Sequence, residues 1–138
     1  MIEKTKRSIQ WIEENKISFF PKKRKYAGIH FTGDFWDGKV IEKEDKMRQL
    51  LISAAKAAQS TVLEVVTHKF LPQGMTGIVL LGESHIAIHT WPEINYTAID
   101  IFTCGDKTKP SLAMEYLKAE LCPERVEINK LKRGGSEF

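Results

Sequence analysis

The chain has 138 residues, of which 42% are hydrophobic and 28% are charged, and its formal net charge is +3. This length fits one domain, and the hydrophobic fraction excludes intrinsic disorder. No run approaches the roughly 18 apolar residues of a transmembrane helix, and the N-terminal sequence lacks the apolar region of a secretory signal. Two cysteines make neither a disulfide framework nor a zinc site, so the sequence predicts a cytoplasmic globular protein with free thiols.

Positive charge is concentrated at the N-terminus. Residues 1–26 contain eight Lys or Arg and three Glu, a net charge of +5, which leaves the remaining residues with −2. A basic arm can bind nucleic acid, but such stretches are more often solvated extensions, and the acidic body argues against a nucleic-acid partner. We therefore divide the chain into a basic extension over residues 1–26 and a single domain over residues 27–138.

The predicted elements follow the order β-α-β-β-β-β-α-β. Apolar periodicity and β-branched runs place them, in chain order, at residues 28–35 (strand), 44–59 (helix), 61–70, 76–81, 85–90 and 96–102 (strands), 110–121 (helix) and 125–131 (strand). Strands that follow one another through short turns pair antiparallel, and two helices can cover one face of the sheet. The predicted fold class is α+β, a two-layer sandwich with a mainly antiparallel sheet and both main helices on one face.

Two of these strands carry polar side chains on the face that the helices leave open. Successive residues of a strand point to opposite faces, so the isoleucines at alternate positions of 85–90 and 96–102 belong under the helices. The other face then carries His85, His89 and Asp100, and continued alternation adds Cys104. Such a face indicates a functional site, a subunit interface, or both.

The stretch 82–93 permits three interpretations from its residues alone. Two histidines four residues apart would share a metal ion on a helix, but on a strand they lie about 13 Å apart, so no metal site is predicted. Ser84 with a histidine and an aspartate could form a hydrolase triad, but the stretch around Ser84, which Glu83 and His85 flank, does not complete the G-x-S-x-G turn. In the third interpretation, His85 and His89 are ordinary polar strand residues.

Several separated segments, taken together and in order, resemble the prokaryotic S-adenosylmethionine decarboxylase family. The loop of residues 70–77 is similar to that family's F-L-P-x-G-x-S/T-G segment, and the resemblance covers roughly residues 27–132. An isolated Glu-Ser-His would mean nothing, but the ordered combination is specific. The matching segments are Glu83-Ser84-His85, Ile88-His89-Thr90-Trp91-Pro92-Glu93, Ala98-Ile99-Asp100 and Phe102-Thr103-Cys104-Gly105.

The resemblance implies that the protein makes its own cofactor. In this family the proenzyme cuts itself before the motif serine, here between Glu83 and Ser84, into chains of 83 and 55 residues. The Ser84 hydroxyl attacks the Glu83 carbonyl to give an ester, elimination gives dehydroalanine, and hydrolysis leaves a pyruvoyl group and ammonia. By resemblance His89 takes the Ser84 α-proton, and Thr76 stands where the family commonly has a processing serine.

The resemblance also implies roles in decarboxylation. The pyruvoyl ketone forms a Schiff base with the substrate amine and accepts electrons as CO₂ leaves. Cys104 is implied as the proton donor to the substrate carbon, Glu93 as the ribose-binding carboxylate and Phe70 as the ring that stacks on adenine. The sequence departs from relatives at Gln73 and at residues 94–95, where Tyr-Gly is common.

The leading hypothesis is a pyruvoyl-dependent decarboxylase that converts S-adenosylmethionine into the aminopropyl donor of spermidine and polyamine biosynthesis. One alternative is an arginine or ornithine decarboxylase of the same superfamily, since these enzymes share the processing motif. A second alternative is a non-catalytic dimerising paralogue. The family implies a homodimer of processed two-chain protomers whose sites draw on both subunits, which agrees with an uncovered polar sheet face. The expected partner is the small-molecule substrate, and no association with a membrane is expected.

Overall fold

The computed structural model describes residues 26–135, so residues 1–25 of the basic extension and residues 136–138 lie outside the described part. The predicted order of elements is confirmed. The elements are β1 (Gly28–Trp36), α1 (Glu44–Ala57), β2 (Val62–Lys69), β3 (Met75–Leu81), β4 (Ser84–Trp91), β5 (Tyr96–Cys104), α2 (Pro110–Leu121) and β6 (Arg125–Arg133). One turn of 3-10 helix, Pro92–Ile94, joins β4 to β5.

The strands form one sheet in the order β2-β3-β4-β5-β1-β6, and every neighbouring pair is antiparallel. The strand β1 leaves its sequence neighbours and inserts between β5 and β6. This insertion places His30 of β1 opposite Phe102 of β5. The polar positions of β1 therefore lie next to the polar positions of β5, although about 70 residues separate them.

Both helices pack against the same face of the sheet, which confirms the predicted α+β sandwich. The helix α1 begins with Glu44 and Asp45, whose charges suit the positive end of the helix dipole, and α2 begins at Pro110. At Gly77 of β3 the approach is close, since a Cβ there would lie 2.5 Å from Cγ of Met47. The strand isoleucines beneath the helices are at most 2% exposed: Ile86, Ile88, Ile99 and Ile101.

The opposite face of the sheet, which we call the open face, carries the polar residues. Residues directly opposite each other on antiparallel strands share a face, and Asp100 lies opposite Ala87 and Thr32. Ile78 lies opposite Ala87 and therefore belongs to the same face. Exposed apolar side chains occupy the β2–β3 side of this face: Val66 is 57% exposed, Ile78 40% and Leu80 48%. Within residues 26–135, no helix has the length and apolar character needed to span a membrane.

Candidate active site

The Glu83–Ser84 peptide bond lies at a tight turn between β3 and β4. Ser84 pairs with Leu81, and its φ of 149° is a value that a residue with a side chain adopts at a cost of about 1–3 kcal/mol. The turn is tied to the start of β2, since Gly82 N–H donates to Thr61 O and Thr61 N–H donates to Glu83 Oε2, both at 3.0 Å. The bond predicted to break is therefore both strained and firmly held.

Cys104 contacts the carbonyl oxygen of Glu83 with two donors. Its backbone N–H donates at 2.9 Å and its Sγ at 3.0 Å. It reaches the turn because β5 lies beside β4, with Thr103 opposite Ser84. Two donors on one carbonyl oxygen are suited to stabilise the negative charge that develops there when a nucleophile attacks the carbonyl carbon.

The Ser84 hydroxyl is the first member of a hydrogen-bonded series on the open face. Ser84 Oγ lies 3.3 Å from His85 Nδ1, and His85 Nε2 donates to Asp100 Oδ2 at 2.7 Å. Asp100 Oδ1 accepts from His30 Nε2, and Arg133 Nη1 lies 3.3 Å from His30 Nδ1. We call Glu83, Ser84, His85, Asp100 and Cys104 the turn cluster.

The carboxyl group of Asp100 is held in its ionised form. Partial burial raises its pKa, but the hydrogen bonds and charges of His30 and His85 outweigh burial and leave the pKa below its ordinary value. Asp100 therefore accepts hydrogen bonds from both rings at neutral pH. Since each ring donates through Nε2, Nδ1 of His85 carries the free lone pair that faces Ser84.

The remaining predicted site residues gather at the other end of β4, and we call them, with Gln73, the loop cluster. Thr76 Oγ1 and His89 Nδ1 lie 2.9 Å apart across β3 and β4. Glu93 is exposed on the 3-10 turn, and its Oε2 accepts from Gln73 Nε2 at 3.3 Å. Phe70, 47% exposed, follows β2 in the same loop as Gln73. The cluster thus combines a paired histidine, an accessible carboxylate and an accessible aromatic ring.

The two clusters do not meet within one chain. Ser84 and His89 are five residues apart on β4. At about 3.3 Å per residue, this spacing separates them by about 16 Å, whereas proton transfer needs about 3 Å. His89 therefore cannot reach the α-carbon of Ser84 in its own chain.

The cleft beside the loop cluster is small, as expected if one chain supplies only part of a binding site. Its volume is about 190 Å³, and it lies between residues 41–42, the loop of residues 69–75 and Pro92. Sites for ligands of nucleoside size usually measure about 300–1,000 Å³. The cleft alone is too small for such a ligand.

A row of stacked rings crosses the open face beyond the loop cluster. Trp91 stacks on Tyr96 at 5.2 Å, Tyr96 on Trp36 at 5.5 Å, and the Arg125 guanidinium lies 3.8 Å above the Trp36 ring. The Tyr96 hydroxyl donates to Asp34. Burial, with the hydrogen bond and charge of Asp34, raises the pKa of Tyr96 to about 12, so the hydroxyl remains a donor at neutral pH.

Sequence reasoning missed His30, Arg133 and the ring row. The alternation of β1 was the available signal, because His30 and Asp34 alternate there with buried aromatic residues. The alternation shows that these side chains share a face, but it does not show which strand lies beside β1. The pairing of β1 with β5 and β6 supplies that information.

Comparison with known proteins gives a consistent result. The chain matches the family model described as S-adenosylmethionine decarboxylase over residues 29–134. It is 41% identical over 112 residues to the S-adenosylmethionine decarboxylase proenzyme of Methanococcus maripaludis strain S2, covering 80% of this chain and 92% of that one. A proenzyme of the same name from Pelotomaculum thermopropionicum is 40% identical, with 80% and 89% covered. The crystal structure of the adenosylmethionine decarboxylase from Aquifex aeolicus VF5 has a TM-score of 0.76 at 38% identity, with 83% and 96% covered.

Proposed function

This chain belongs to the S-adenosylmethionine decarboxylase family, and on that premise we propose that it is a self-cleaving decarboxylase of S-adenosylmethionine that supplies the aminopropyl donor for polyamine biosynthesis. One observation carries the proposal. The Glu83–Ser84 bond joins a strained serine to a carbonyl group whose oxygen accepts two hydrogen bonds from Cys104. An attacking hydroxyl, a stabilised carbonyl oxygen and a strained peptide are the requirements for moving an acyl group from nitrogen to oxygen.

The residues of the turn cluster fit a pyruvoyl group made from Ser84. A pyruvoyl group arises by elimination from a residue with a leaving group on Cβ, and the Ser84 oxygen provides one where the chain is already strained. When formed, the group supplies an electron-accepting carbonyl for the loss of CO₂. Cys104 lies against the Glu83–Ser84 bond, and its Sγ can hold a proton for transfer to the substrate carbon.

The loop cluster supports a nucleoside substrate. Glu93 offers a carboxylate that can accept hydrogen bonds from two adjacent ribose hydroxyls, and Gln73 already orients it. Phe70 offers an accessible ring that can stack on adenine or contact a sulfonium cation. An arginine or ornithine substrate has no ribose or base for these two groups to bind.

We further propose that the enzyme is a dimer whose open faces pack together. A two-fold axis between the two sheets and perpendicular to the strands would place the turn cluster of each chain over the loop cluster of the other. The distance of about 16 Å between Ser84 and His89 within one chain supports this arrangement. Such packing would also cover the exposed apolar side chains of the open face, Val66, Ile78 and Leu80.

The activity is tested by intact mass under denaturing conditions, followed by CO₂ release from three labelled substrates. We expect two chains, residues 1–83 and residues 84–138 with a pyruvoyl N-terminus, and release of CO₂ from S-adenosylmethionine. A chain that stays uncut on long incubation contradicts the proposal. Cleavage with CO₂ release from arginine or ornithine instead would retain the reaction class and change the substrate.

Substitutions of Cys104 should separate its two proposed roles. Cys104→Ala removes one of two donors to the Glu83 carbonyl oxygen, so cleavage should slow by about 10–100-fold. Cys104→Ser restores a donor and should restore cleavage, but decarboxylation should stay at least about 100-fold low because a hydroxyl is a far weaker acid than a thiol. Time courses of intact mass and CO₂ release measure the two effects.

The control for Cys104 is Cys122→Ser. Cys122 is exposed at the end of α2, where its thiol donates to Ala119 O and lies outside both clusters, so both rates should be unchanged. Equal rates of cleavage in Cys104→Ala and the unsubstituted protein would remove Cys104 from the processing step.

A further inference from the structure

The self-cleavage proposed above leaves one proton without an acceptor. Before its oxygen can attack Glu83, the Ser84 hydroxyl must lose a proton. By resemblance His89 acts in a later step, the removal of the Ser84 α-proton; it lies about 16 Å away in the same chain, and in the proposed dimer it would come from the partner chain. A base already within hydrogen-bond distance of Ser84 Oγ in the same chain is the better candidate for the first step.

His85 has the position of that base. Its Nδ1 lies 3.3 Å from Ser84 Oγ, and its Nε2–H donates to Asp100 at 2.7 Å. This series of hydroxyl, imidazole and carboxylate has the order of a serine-hydrolase triad, built without a G-x-S-x-G turn. The carboxylate fixes the tautomer that leaves Nδ1 unprotonated, and it favours the positive charge that the ring gains on accepting a proton.

The surroundings hold the ring in place. The Phe102 ring lies between the two histidines on the open face, with centroids 6.2 Å from His85 and 5.4 Å from His30. His30 occupies the second oxygen of Asp100, so the carboxylate is fixed from both sides. Among the described residues, the charged group in contact with His85 is Asp100 of β5, and β3 presents Leu80 opposite it. Three titratable or charged groups lie one contact further away: His30 of β1 on the other oxygen of Asp100, Arg133 of β6 beside His30, and Cys104 of β5 against Glu83.

We propose that His85 is the general base of ester formation in self-cleavage, with Asp100 as its positioning residue; this inference rests on the proposed function. His85 Nδ1 takes the Ser84 Oγ proton as the bond between Oγ and the Glu83 carbonyl carbon forms. The same proton then passes to the Ser84 nitrogen as the carbon–nitrogen bond breaks, which leaves an ester and a free amine. No oxidant, reductant or metal is needed. Two histidines thus divide the processing, His85 before the ester and His89 after it.

Hydroxylamine distinguishes the two steps, because it cuts esters and leaves ordinary peptide bonds intact. We expect His85→Ala to slow cleavage by at least about 100-fold and to stall as a full-length chain that hydroxylamine does not cut. His89→Ala should stall as a chain that hydroxylamine cuts between residues 83 and 84. His85→Gln, which can still donate to Asp100 but has no basic nitrogen, should behave as His85→Ala and so separates loss of the base from loss of packing.

Asp100→Asn tests the positioning role, with Asp34→Asn as its control. Asp34 is also an aspartate of the open face that accepts a hydrogen bond, from Tyr96, but it lies outside the turn cluster. Asp100→Asn should slow cleavage at least about 10-fold and accumulate a full-length chain that hydroxylamine does not cut, because the ring that Asp100 positions acts before the ester forms. Asp34→Asn should leave the rate of cleavage unchanged.

Three results would overturn this assignment: cleavage of His85→Ala or His85→Gln at the unsubstituted rate, a hydroxylamine-sensitive stall in either variant, or cleavage of Asp100→Asn at the unsubstituted rate. Failure of the proposed function can be distinguished from failure of the His85 assignment, because in the first case the unsubstituted chain itself would remain uncut.

Discussion

Ser84→Ala is expected to give an intact chain of 138 residues that releases no CO₂ from S-adenosylmethionine. Alanine has no hydroxyl to attack the Glu83 carbonyl and no leaving oxygen on Cβ, so neither the ester nor the pyruvoyl group can form. The loss of both cleavage and activity should be complete. Intact mass under denaturing conditions and a CO₂-release assay on the same sample measure it.

The matched control is Ser60→Ala. Ser60 lies beside Thr61, which contacts the turn before Ser84, and its buried hydroxyl has no hydrogen-bond partner within residues 26–135. Its removal should therefore change neither the mass pattern nor the rate. Cleavage of Ser84→Ala into chains of 83 and 55 residues would show that Ser84 is not the attacking residue. Cleavage of the unsubstituted chain at another bond would show that the cleavage site is not Glu83–Ser84.

Mixing two inactive chains is expected to restore cleavage. In the proposed dimer each site combines Ser84 of one chain with His89 of the other, because about 16 Å separates these residues within a chain. When Ser84→Ala and His89→Ala are expressed together with different tags, the His89→Ala chain should be cut, since its Ser84 faces an intact His89. Alone, that chain should stall before the pyruvoyl group forms.

Two measurements make this experiment decisive. The fraction purified on both tags should have the mass of a dimer by light scattering. Mass spectrometry of that fraction should find a pyruvoyl N-terminus only on the His89→Ala chain. A tagged heterodimer in which neither chain is cut would contradict a shared site. A His89→Ala chain that cuts itself fully in isolation would remove His89 from processing.

Local patterns were sufficient to predict the fold class. The periodicity of α1 and the alternation of β4 and β5 depend only on neighbouring residues, and burial in the structure follows them, with Ile86 and Ile101 completely buried. The ends of the elements were less well defined. The strand β5 continues to Cys104, two residues beyond its predicted end, because the turn at Glu83 supplies a partner for the Cys104 N–H.

The structure contains the side-chain series that the serine-hydrolase interpretation required, although the hydrolase motif is absent from the sequence. A missing G-x-S-x-G turn argued against a triad, yet Ser84, His85 and Asp100 form a hydrogen-bonded series. The motif rule concerns a nucleophile that must face an external substrate. A serine that attacks its own preceding carbonyl needs only a turn, and the β3–β4 hairpin provides one.

The sequence by itself determined the order of the elements, and it was enough to predict the chemistry of the proposed cleavage bond. A serine hydroxyl and the spacing of apolar residues are local properties that need no knowledge of distant contacts. Only the tertiary structure decided which groups lie close to that bond. It brought His30 to Asp100 across 70 positions of sequence, placed Cys104 against the Glu83 carbonyl, and set His89 far from Ser84. The physical reason is strand order, because the insertion of β1 between β5 and β6 arises from packing of the whole sheet and leaves no local pattern.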